Sequence, residues 1–262
     1  MCRSMSRSGL LTLTLVFACM IALLHARASA DLTEGLIAYW PCDEGQGMFV
    51  HDASGYGNDG MISGAAWVPG FQEWGLEILN TDIVGFIPPR FDDPIRDAFS
   101  VAAWVRWHGP SVYARPGAVF DGRSPVEGFF FGIQQDGCLR LNIYHPPSGG
   151  EGVSSTPPVP LDEWTHLAGV YDASSQTLRV YIAGAEAGVA AATYPYYDSY
   201  ISAAMGNNRW APGDGQWAPL NGILDEVRVY DRALSDEEIA ELALGPTPTS
   251  ETTWGAVKGL FR

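Results

Sequence analysis

Lysine is almost absent from this sequence: fourteen of its 15 basic residues are arginine, and Lys258 is the only lysine. A lysine that forms a Schiff base or clamps a phosphate is therefore excluded from the body of the chain. Charged residues of both signs make up only 17%, and the formal net charge is -15. Because a nucleic-acid-binding surface needs a basic stripe, the composition argues against a nucleic-acid partner.

A long apolar run and a helical pattern are also missing from most of the chain. After residue 30 no apolar run is long enough to span a bilayer, and before residue 234 there is no helical periodicity with caps. The 262 residues instead include 30 glycines, 18 prolines and 12% aromatics. This composition predicts one large domain or two small ones made of short strands and turns, and argues against a coiled coil or a helical bundle.

The first thirty residues have the pattern of an export signal. Arg3 and Arg7 form a positive start, an apolar run from Leu10 to Leu24 follows, and Ala28-Ser29-Ala30 supplies the small residues that a signal peptidase needs. We expect cleavage near Ala30, with the mature protein secreted, displayed on the cell surface or retained in the periplasm. An uncleaved membrane anchor is the alternative interpretation.

Loss of this segment makes the remaining chain more acidic. It leaves 12 basic and 30 acidic residues, a formal charge of -18, which attracts cations and repels polyanions. Two cysteines remain, Cys42 and Cys138. In an exported protein they can form a disulfide, but their separation in sequence leaves both the paired and the free state open.

Short apolar segments separated by Gly, Pro, Asn and Asp predict a series of β-strands between residues 36 and 230. The Asp136-Gly137 turn and the segment Asp172–Thr177 each indicate a hairpin. Ser235 and Glu238 have the spacing of a capping box for one short helix, which we expect to cover an open end of a sandwich. The predicted strands are Leu36–Trp40, Phe99–Trp107, Phe129–Ile133, Leu139–Tyr144, Trp164–Tyr171, Leu178–Ile182 and Ile223–Tyr230.

The sequence thus predicts three parts: a signal peptide over residues 1–30, a β domain over residues 31–245, and a linker with a short tail over residues 246–262. The linker is rich in Pro and Thr. The tail, Trp254–Arg262, resembles the C-terminal segments with a Trp-Gly-x-Ile/Val-Lys core found on exported proteins of some Gram-negative phyla. A sorting or anchoring role and a loose terminus are the two alternatives for it.

Four separated segments carry a resemblance to a known family. Their order along the chain is more specific than any one of them alone. The segments are Gly35–Gly47 (GLIAYWPCDEGQG), Asp52–Gly60 (DASGYGNDG), Trp164–Ile182 (beginning WTHLAGVYD) and Asn221–Ser235 (NGILDEVRVYDRALS). Together they resemble the laminin-G-like, concanavalin A-like jelly-roll modules of bacterial secreted proteins, which are related to pentraxins.

The resemblance implies an all-β fold, a jelly roll of two antiparallel sheets with one short C-terminal helix. It implies no single activity, because the fold hosts lectins, adhesion modules and glycosidases. The chain departs from the family pattern at three places. Cys42 stands where a large apolar residue is usual, Leu76–Pro88 replaces the usual Phe-Asp-Gly segment of the third strand, and Asn207–Pro219 is an insertion-like stretch rich in Trp and Gly. These departures concern the ligand site more than the fold.

A calcium site is the sharpest chemical hypothesis. In a regular last strand, Asp225 shares a face with Val227 and Val229, and a core-facing carboxylate is costly unless it is hydrogen-bonded, paired or metal-bound. If the first strand pairs with the last one with Tyr39 opposite Val229, Asp43 lies opposite Asp225. Hard oxygen ligands from several loops suit Ca²⁺.

The resemblance extends this hypothesis to a full ligand set. The predicted calcium ligands are Asp43, Asp52, Asn58, Gly60 (through its carbonyl) and Asp225. The alternative is that Asp52 and Asp225 only accept hydrogen bonds from turn amides.

Aromatic residues in predicted loops are the second functional clue, since sugar rings stack on aromatic side chains while their hydroxyls need polar partners. Some of these aromatics are also expected to pack loops without binding anything. The predicted ligand-binding residues are Trp107, Asp121, Arg123, Tyr144, Asn207, Asn208, Trp210 and Trp217, with Tyr113 and the stretch Tyr194–Tyr200 as further candidates.

No catalytic pattern supports an enzyme. The Glu-x-Asp-x-x-Glu or Glu-x-Asp-x-Glu motif that places two carboxylates on one strand face in laminarinase-type members is absent. Metal-binding His spacing and a Gly-x-Ser-x-Gly elbow are also absent. The leading hypothesis is a secreted or surface-displayed, non-catalytic carbohydrate- or glycoconjugate-binding module with a structural calcium ion. The alternatives are an adhesion domain for a cell-surface protein and a glycoside hydrolase with an unrecognised acid pair.

Overall fold

The computed structural model describes residues 31–79, 83–86, 97–112, 115–123, 128–145, 149–193, 203–207 and 219–245, with only the backbone given at 83–86 and 123. Residues Met1–Asp31 and Leu32–Arg262 separate into two units. The predicted signal peptide, linker and tail lie outside the described residues. Within those residues no helix has the length and apolarity needed to cross a membrane.

The described residues form two antiparallel eight-stranded sheets, which confirms the predicted all-β fold. The first sheet contains β1 (Leu36–Trp40), β4 (Ala66–Pro69), β5 (Trp74–Ile78), β7 (Ala98–Trp107), β12 (Trp164–Asp172), β13 (Thr177–Ile182), β14 (Ala185–Ala191) and β16 (Gly222–Tyr230). The second contains β2 (Phe49–Val50), β3 (Gly60–Ser63), β6 (Ile83–Phe86), β8 (Gly117–Arg123), β9 (Gly128–Ile133), β10 (Leu139–His145), β11 (Gly149–Ser154) and β15 (Ala204–Met205).

The strand order explains how distant segments meet. The first sheet runs β14-β13-β12-β7-β16-β5-β4, and β1 pairs with β16 outside this path. The second runs β11-β10-β9-β8-β15-β6-β3-β2. All seven strands predicted from the sequence are present, each within one residue of its predicted bounds.

Aromatic rings connect the two sheets across the core. Phe99 of the first sheet stacks on Phe129 of the second, with their ring centroids 4.4 Å apart. Phe129 also stacks on Phe120 at 5.6 Å, and Phe120 lies 6.0 Å from Trp40 of the first sheet. Each of these four side chains is fully buried, so they form a continuous part of the main core.

The single described helix, α1, spans Asp236–Leu242. Ser235 accepts a hydrogen bond from the Glu238 amide, and the Glu238 side chain accepts one from the Ser235 amide, so the predicted capping box is confirmed. Its buried residues Ile239 and Leu242 form a second hydrophobic cluster with residues of β7, β12, β13 and β16. The helix therefore covers the outer face of the first sheet, and the expectation that it covers an open end is wrong.

The pairing of the first and last strands is confirmed, but its predicted register is wrong by one residue. Tyr39 lies opposite Arg228, and Ala38 lies opposite Val229. Glu226, at a φ of 54°, forms a β-bulge in β16. A bulge adds one residue to one strand and so reverses the alternation of side chains beyond it.

This bulge also corrects the predicted face of Asp225. Leu224, Val227 and Val229 belong to the main core, whereas Trp104, the cross-strand partner of Asp225, does not. Asp225 lies opposite Trp104 of β7, which in turn lies opposite His166 of β12. Because cross-strand partners share a face, these three side chains form a row on the outer face of the first sheet.

Candidate functional site

Strand β10 presents a polar row on the outer face of the second sheet. Its first six residues, Leu-Arg-Leu-Asn-Ile-Tyr, alternate strictly between apolar and polar residues. The three aliphatic residues are buried in the main core, so the alternation of a strand places Arg140, Asn142 and Tyr144 on the opposite face. We call these three residues the β10 row.

The neighbouring strand gives the β10 row a glycine floor. Gly150 lies opposite Tyr144 and Gly152 lies opposite Asn142 in β11. A Cβ atom at Gly150 would lie 3.1 Å from the Tyr144 ring, and one at Gly152 would collide with the side-chain oxygen Oδ1 of Asn142. The two glycines therefore let both side chains lie close against the sheet.

The row continues toward the middle of the sheet through β9 and β8. Phe130 lies opposite both Asn142 and Asp121, so these three side chains share the outer face. Phe130 and Asp121 are 0% and 1% exposed, whereas Asn142 is 9% exposed and Arg140 and Tyr144 are half-buried. Access from solvent is therefore greatest at the β10 row.

Hydrogen bonds hold the β10 row in place. The Asn142 amide nitrogen donates to the Tyr144 hydroxyl at 3.1 Å. Arg140 Nη1 donates to Ser154 Oγ at 2.9 Å, and Ser154 Oγ donates to Gln134 Oε1 at 3.2 Å. The Asn142 carbonyl oxygen is buried and has no hydrogen-bond partner. The row thus combines an aromatic ring, an amide and a guanidinium within one strand.

The structure places the predicted ligand-binding residues at different positions. Asp121 and Tyr144 lie on this face, and Arg123 is the last residue of β8, with its backbone opposite Gly128. Trp107 is 5% exposed and belongs to the main core, so its prediction as a loop aromatic is wrong. Asn207 is 5% exposed. The remaining candidates, Tyr113, Asn208, Trp210, Trp217 and the stretch Tyr194–Tyr200, lie outside the described residues.

Arg140 and Asn142 lie within a strand, so a prediction based on aromatic residues in loops does not include them. The signal for them was present, since a strict apolar-polar alternation over six residues specifies which side chains share the outer face.

Two of the predicted calcium ligands instead fasten the loop between β2 and β3 to β1. Asp52 accepts hydrogen bonds from the amides of Tyr39, Ser54 and Asn58 at 2.9–3.0 Å. The Asn58 carbonyl accepts one from Trp40 Nε1 at 2.8 Å. This is the arrangement expected if Asp52 caps turn amides.

Asp225 and Asp43 lie in a second acidic region. Asp225 is fully buried, accepts one hydrogen bond from the Gln72 amide at 2.9 Å, and has one carboxylate oxygen without a partner. Burial raises the pKa of Asp225 to about 8, and the charges of Glu226 and Asp43 add to this effect. A buried carboxyl in this state favours either a proton or a cation.

The structure does not assemble the five predicted calcium ligands into one cage. Gly60 begins β3 in the second sheet, opposite Val50 and Phe86. Among the described residues, no group of three or more His, Cys, Asp or Glu side chains is placed to hold a metal ion. Calcium binding therefore stays a prediction, and the unpartnered oxygen of Asp225 is its best support. The two cysteines Cys42 and Cys138 are both free.

Residues 86–240 match a family model described as the concanavalin A-like lectin/glucanases superfamily. No curated protein matches the chain. Several solved structures share the fold. The binding domain of Paraclostridial Mosquitocidal Protein 1 has a TM-score of 0.65 at 13% identity, covering 81% of this chain and 52% of that one. The binding domain of botulinum neurotoxin DC, in complex with SialylT, has a TM-score of 0.62 at 13% identity, covering 83% and 53%.

A third similar structure is domain 4 of AbnA, a GH43 extracellular arabinanase from Geobacillus stearothermophilus, in complex with arabinotriose. Its TM-score is 0.61 at 21% identity, and the match covers 79% of this chain and 98% of that one. The chain thus spans about half the length of the toxin binding domains that it matches.

Proposed function

Because the chain belongs to the concanavalin A-like lectin/glucanases superfamily, we propose that it is an exported, non-catalytic module that binds carbohydrate or glycoconjugate through the β10 row. The observation that carries this proposal is the alignment of the half-buried Arg140 and Tyr144 with Asn142 on the outer face of β10, opposite Ser154, Gly152 and Gly150 of β11.

The chemistry of the β10 row suits a sugar. The Tyr144 ring offers an apolar surface to the C–H face of a pyranose or furanose, and its hydroxyl, which the buried Asn142 amide holds in place, offers a hydrogen bond to a ring hydroxyl. Similar structures of an arabinanase domain with arabinotriose and a neurotoxin domain with SialylT support this choice of ligand class. The pattern of residues 1–30 supports export.

Replacing Tyr144 with alanine should lower glycan affinity about tenfold, because the ring surface and one hydrogen-bonding group are lost together. A glycan array identifies the ligand first, and calorimetry then measures the dissociation constant. Tyr56→Ala is the matched control, because Tyr56 is 70% exposed and lies in the loop between β2 and β3, strands at the far edge of the same sheet.

Equal loss of affinity in both tyrosine variants would contradict a site at the β10 row. Release of reducing sugar from any polysaccharide of a test panel would contradict the absence of catalysis and favour the glycoside hydrolase.

A protein partner is the second candidate function, and one surface favours it. Met48, Phe49 and Met61 are 64%, 52% and 40% exposed, and Phe49 lies opposite Met61 at the edge of the second sheet. Exposed apolar side chains that adjoin one another are typical of protein contacts. Retention of adhesion by Tyr144→Ala and its loss in Phe49→Ala would favour this function over sugar binding.

We also propose that a calcium ion stabilises the module at Asp225. Binding to the native state alone adds about 1.4 kcal/mol at a tenfold excess of calcium over its dissociation constant. EDTA should therefore lower the melting temperature of calcium-loaded protein, and Asp225→Asn should remove most of the difference. An unchanged melting temperature after removal of a calcium ion shown to be bound would contradict a stabilising role.

A further inference from the structure

Arg140 lies on the candidate binding face and, like Arg106 of the other sheet, which donates to the Asp162 carbonyl, has no acidic partner among the described residues. Its guanidinium donates to the Ser154 hydroxyl, and none of the ion pairs among the described residues includes Arg140. The paired arginines are Arg179 with Asp236, Arg228 with Glu226 and Arg232 with Glu238. In a mature chain with 30 acidic residues and 12 basic ones, an unpaired guanidinium on the candidate binding face needs an explanation.

The surroundings of Arg140 fix its position without neutralising its charge. Ser154 lies directly opposite Arg140 in the β10–β11 ladder. The Ser154 hydroxyl accepts from Arg140 and donates to Gln134, so its own orientation is set by a second side chain. A guanidinium has five N–H donors, and this contact uses one of them. The remaining donors keep their fork geometry, which matches a carboxylate in a bidentate contact.

The charge of the whole protein restricts what can approach this arginine. A formal charge of -18 on the mature chain repels polyanions over a distance that depends on ionic strength. A ligand with one negative group on an otherwise neutral chain experiences little of this repulsion and still gains the full contact with Arg140. The positive charge of Arg140 and the negative charge of the whole protein therefore both favour a ligand with one negative group.

We propose that the β10 row recognises a glycan with a single carboxylate, such as one acidic sugar on an otherwise neutral oligosaccharide. The carboxylate lies on Arg140, and a sugar ring lies on Tyr144, two positions further along the same face. Ser154 and Gln134 act as positioning residues for the guanidinium. This assignment rests on the proposed function and names the class of its ligand.

The test compares an acidic oligosaccharide bound on the glycan array with its methyl ester, which keeps the ring and removes the charge. The wild-type protein should bind the acid roughly tenfold or more tightly than the ester. Arg140→Gln should lose this preference and keep its affinity for the ester. Arg140→Lys should retain part of the preference, because it keeps the charge and loses the fork. Ser154→Ala should weaken binding of the acid without changing binding of the ester.

Arg179→Gln is the matched control, because it removes one positive charge from the other sheet. If it lowers affinity for the acid as much as Arg140→Gln does, the effect comes from net charge and the assignment is overturned. Equal binding of acid and ester by the wild type also overturns it, while the proposed sugar site stands if Tyr144→Ala still weakens both. Absence of binding to every glycan rejects the proposed function and the acidic ligand together. Melting temperatures equal to that of the wild type show that each variant is folded.

Discussion

Phe129→Ala is expected to lower the free energy of unfolding by about 3–5 kcal/mol, the range for removal of a large buried aromatic side chain. Phe129 is fully buried, stacks on Phe99 of the first sheet at 4.4 Å and on Phe120 of its own sheet at 5.6 Å. Its loss leaves a cavity at a place where the two sheets are in contact, and rings on both sides lose a partner.

Urea denaturation measures this change directly through the midpoint of unfolding. Phe49→Ala is the control, because Phe49 is 52% exposed at the edge of the second sheet and its removal should change stability little. A cost for Phe129→Ala no larger than that of the control would show that the aromatic stack contributes little to the core.

Stability should be greatest on a plateau between about pH 4 and 6.5 and should fall on both sides, because two buried groups titrate in opposite directions. Burial raises the pKa of Asp225 to about 8, so the native state holds a proton that the unfolded state has released, and stability falls as pH rises from about 4 to 8. Burial lowers the pKa of His166 to about 3, and the charge of Arg228 adds to this, so stability falls as pH drops from about 6.5.

Between pH 4 and 6.5 the two effects oppose each other. Above pH 6.5, Asp225 is the one of these two groups that still changes stability. The free energy of unfolding then falls by about 1.4 kcal/mol per pH unit, or roughly 2 kcal/mol in total by pH 8. Chemical denaturation at a series of pH values in EDTA measures this profile. Asp225→Asn should flatten the loss above pH 6.5, whereas Asp59→Asn, at a half-exposed carboxyl, should leave it unchanged.

A steep loss above pH 6.5 that persists in Asp225→Asn would assign the titration to another group. Calcium should reduce the same loss, because a cation favours the ionised carboxylate that burial otherwise disfavours.

Elements with a complete local signal were predictable from the sequence. The strand Leu36–Trp40 is apolar and stops at Pro41, and its predicted bounds agree with the structure. The capping box of Ser235 and Glu238 is likewise a contact between near neighbours in sequence. Such features need no knowledge of tertiary structure, since all the interacting groups lie within a few residues of one another.

The register of β1 against β16 was not predictable in this way. The bulge at Glu226 places its carboxylate in a contact between distant parts of the chain, since it accepts hydrogen bonds from the Tyr39 hydroxyl. A regular strand places Asp225 on the same face as Val227, and the register shift in β16 makes this prediction wrong. The calcium hypothesis inherited this error through its assumed pairing of Asp43 with Asp225.

The candidate site lies between these two cases. The alternation from Leu139 to Tyr144 was visible in the sequence, and it specifies that Arg140 and Asn142 share a face with Tyr144. The contribution of Ser154 and of the glycine floor was not visible, because it depends on which strand pairs with β10 and in which register. Asp121 joined the same face only through its pairing with Phe130.

The pairing of β1 with β16 also bears on how this unit can be combined with other proteins. Leu36 and Tyr230 are ladder partners, and the Asp231 amide donates to the Gly35 carbonyl at 2.9 Å. The points where the chain enters and leaves the sandwich are therefore neighbours, as they are in domains that tolerate insertion and circular permutation. If the domain is inserted into a surface loop of another protein, the two ends of that loop can therefore stay close together.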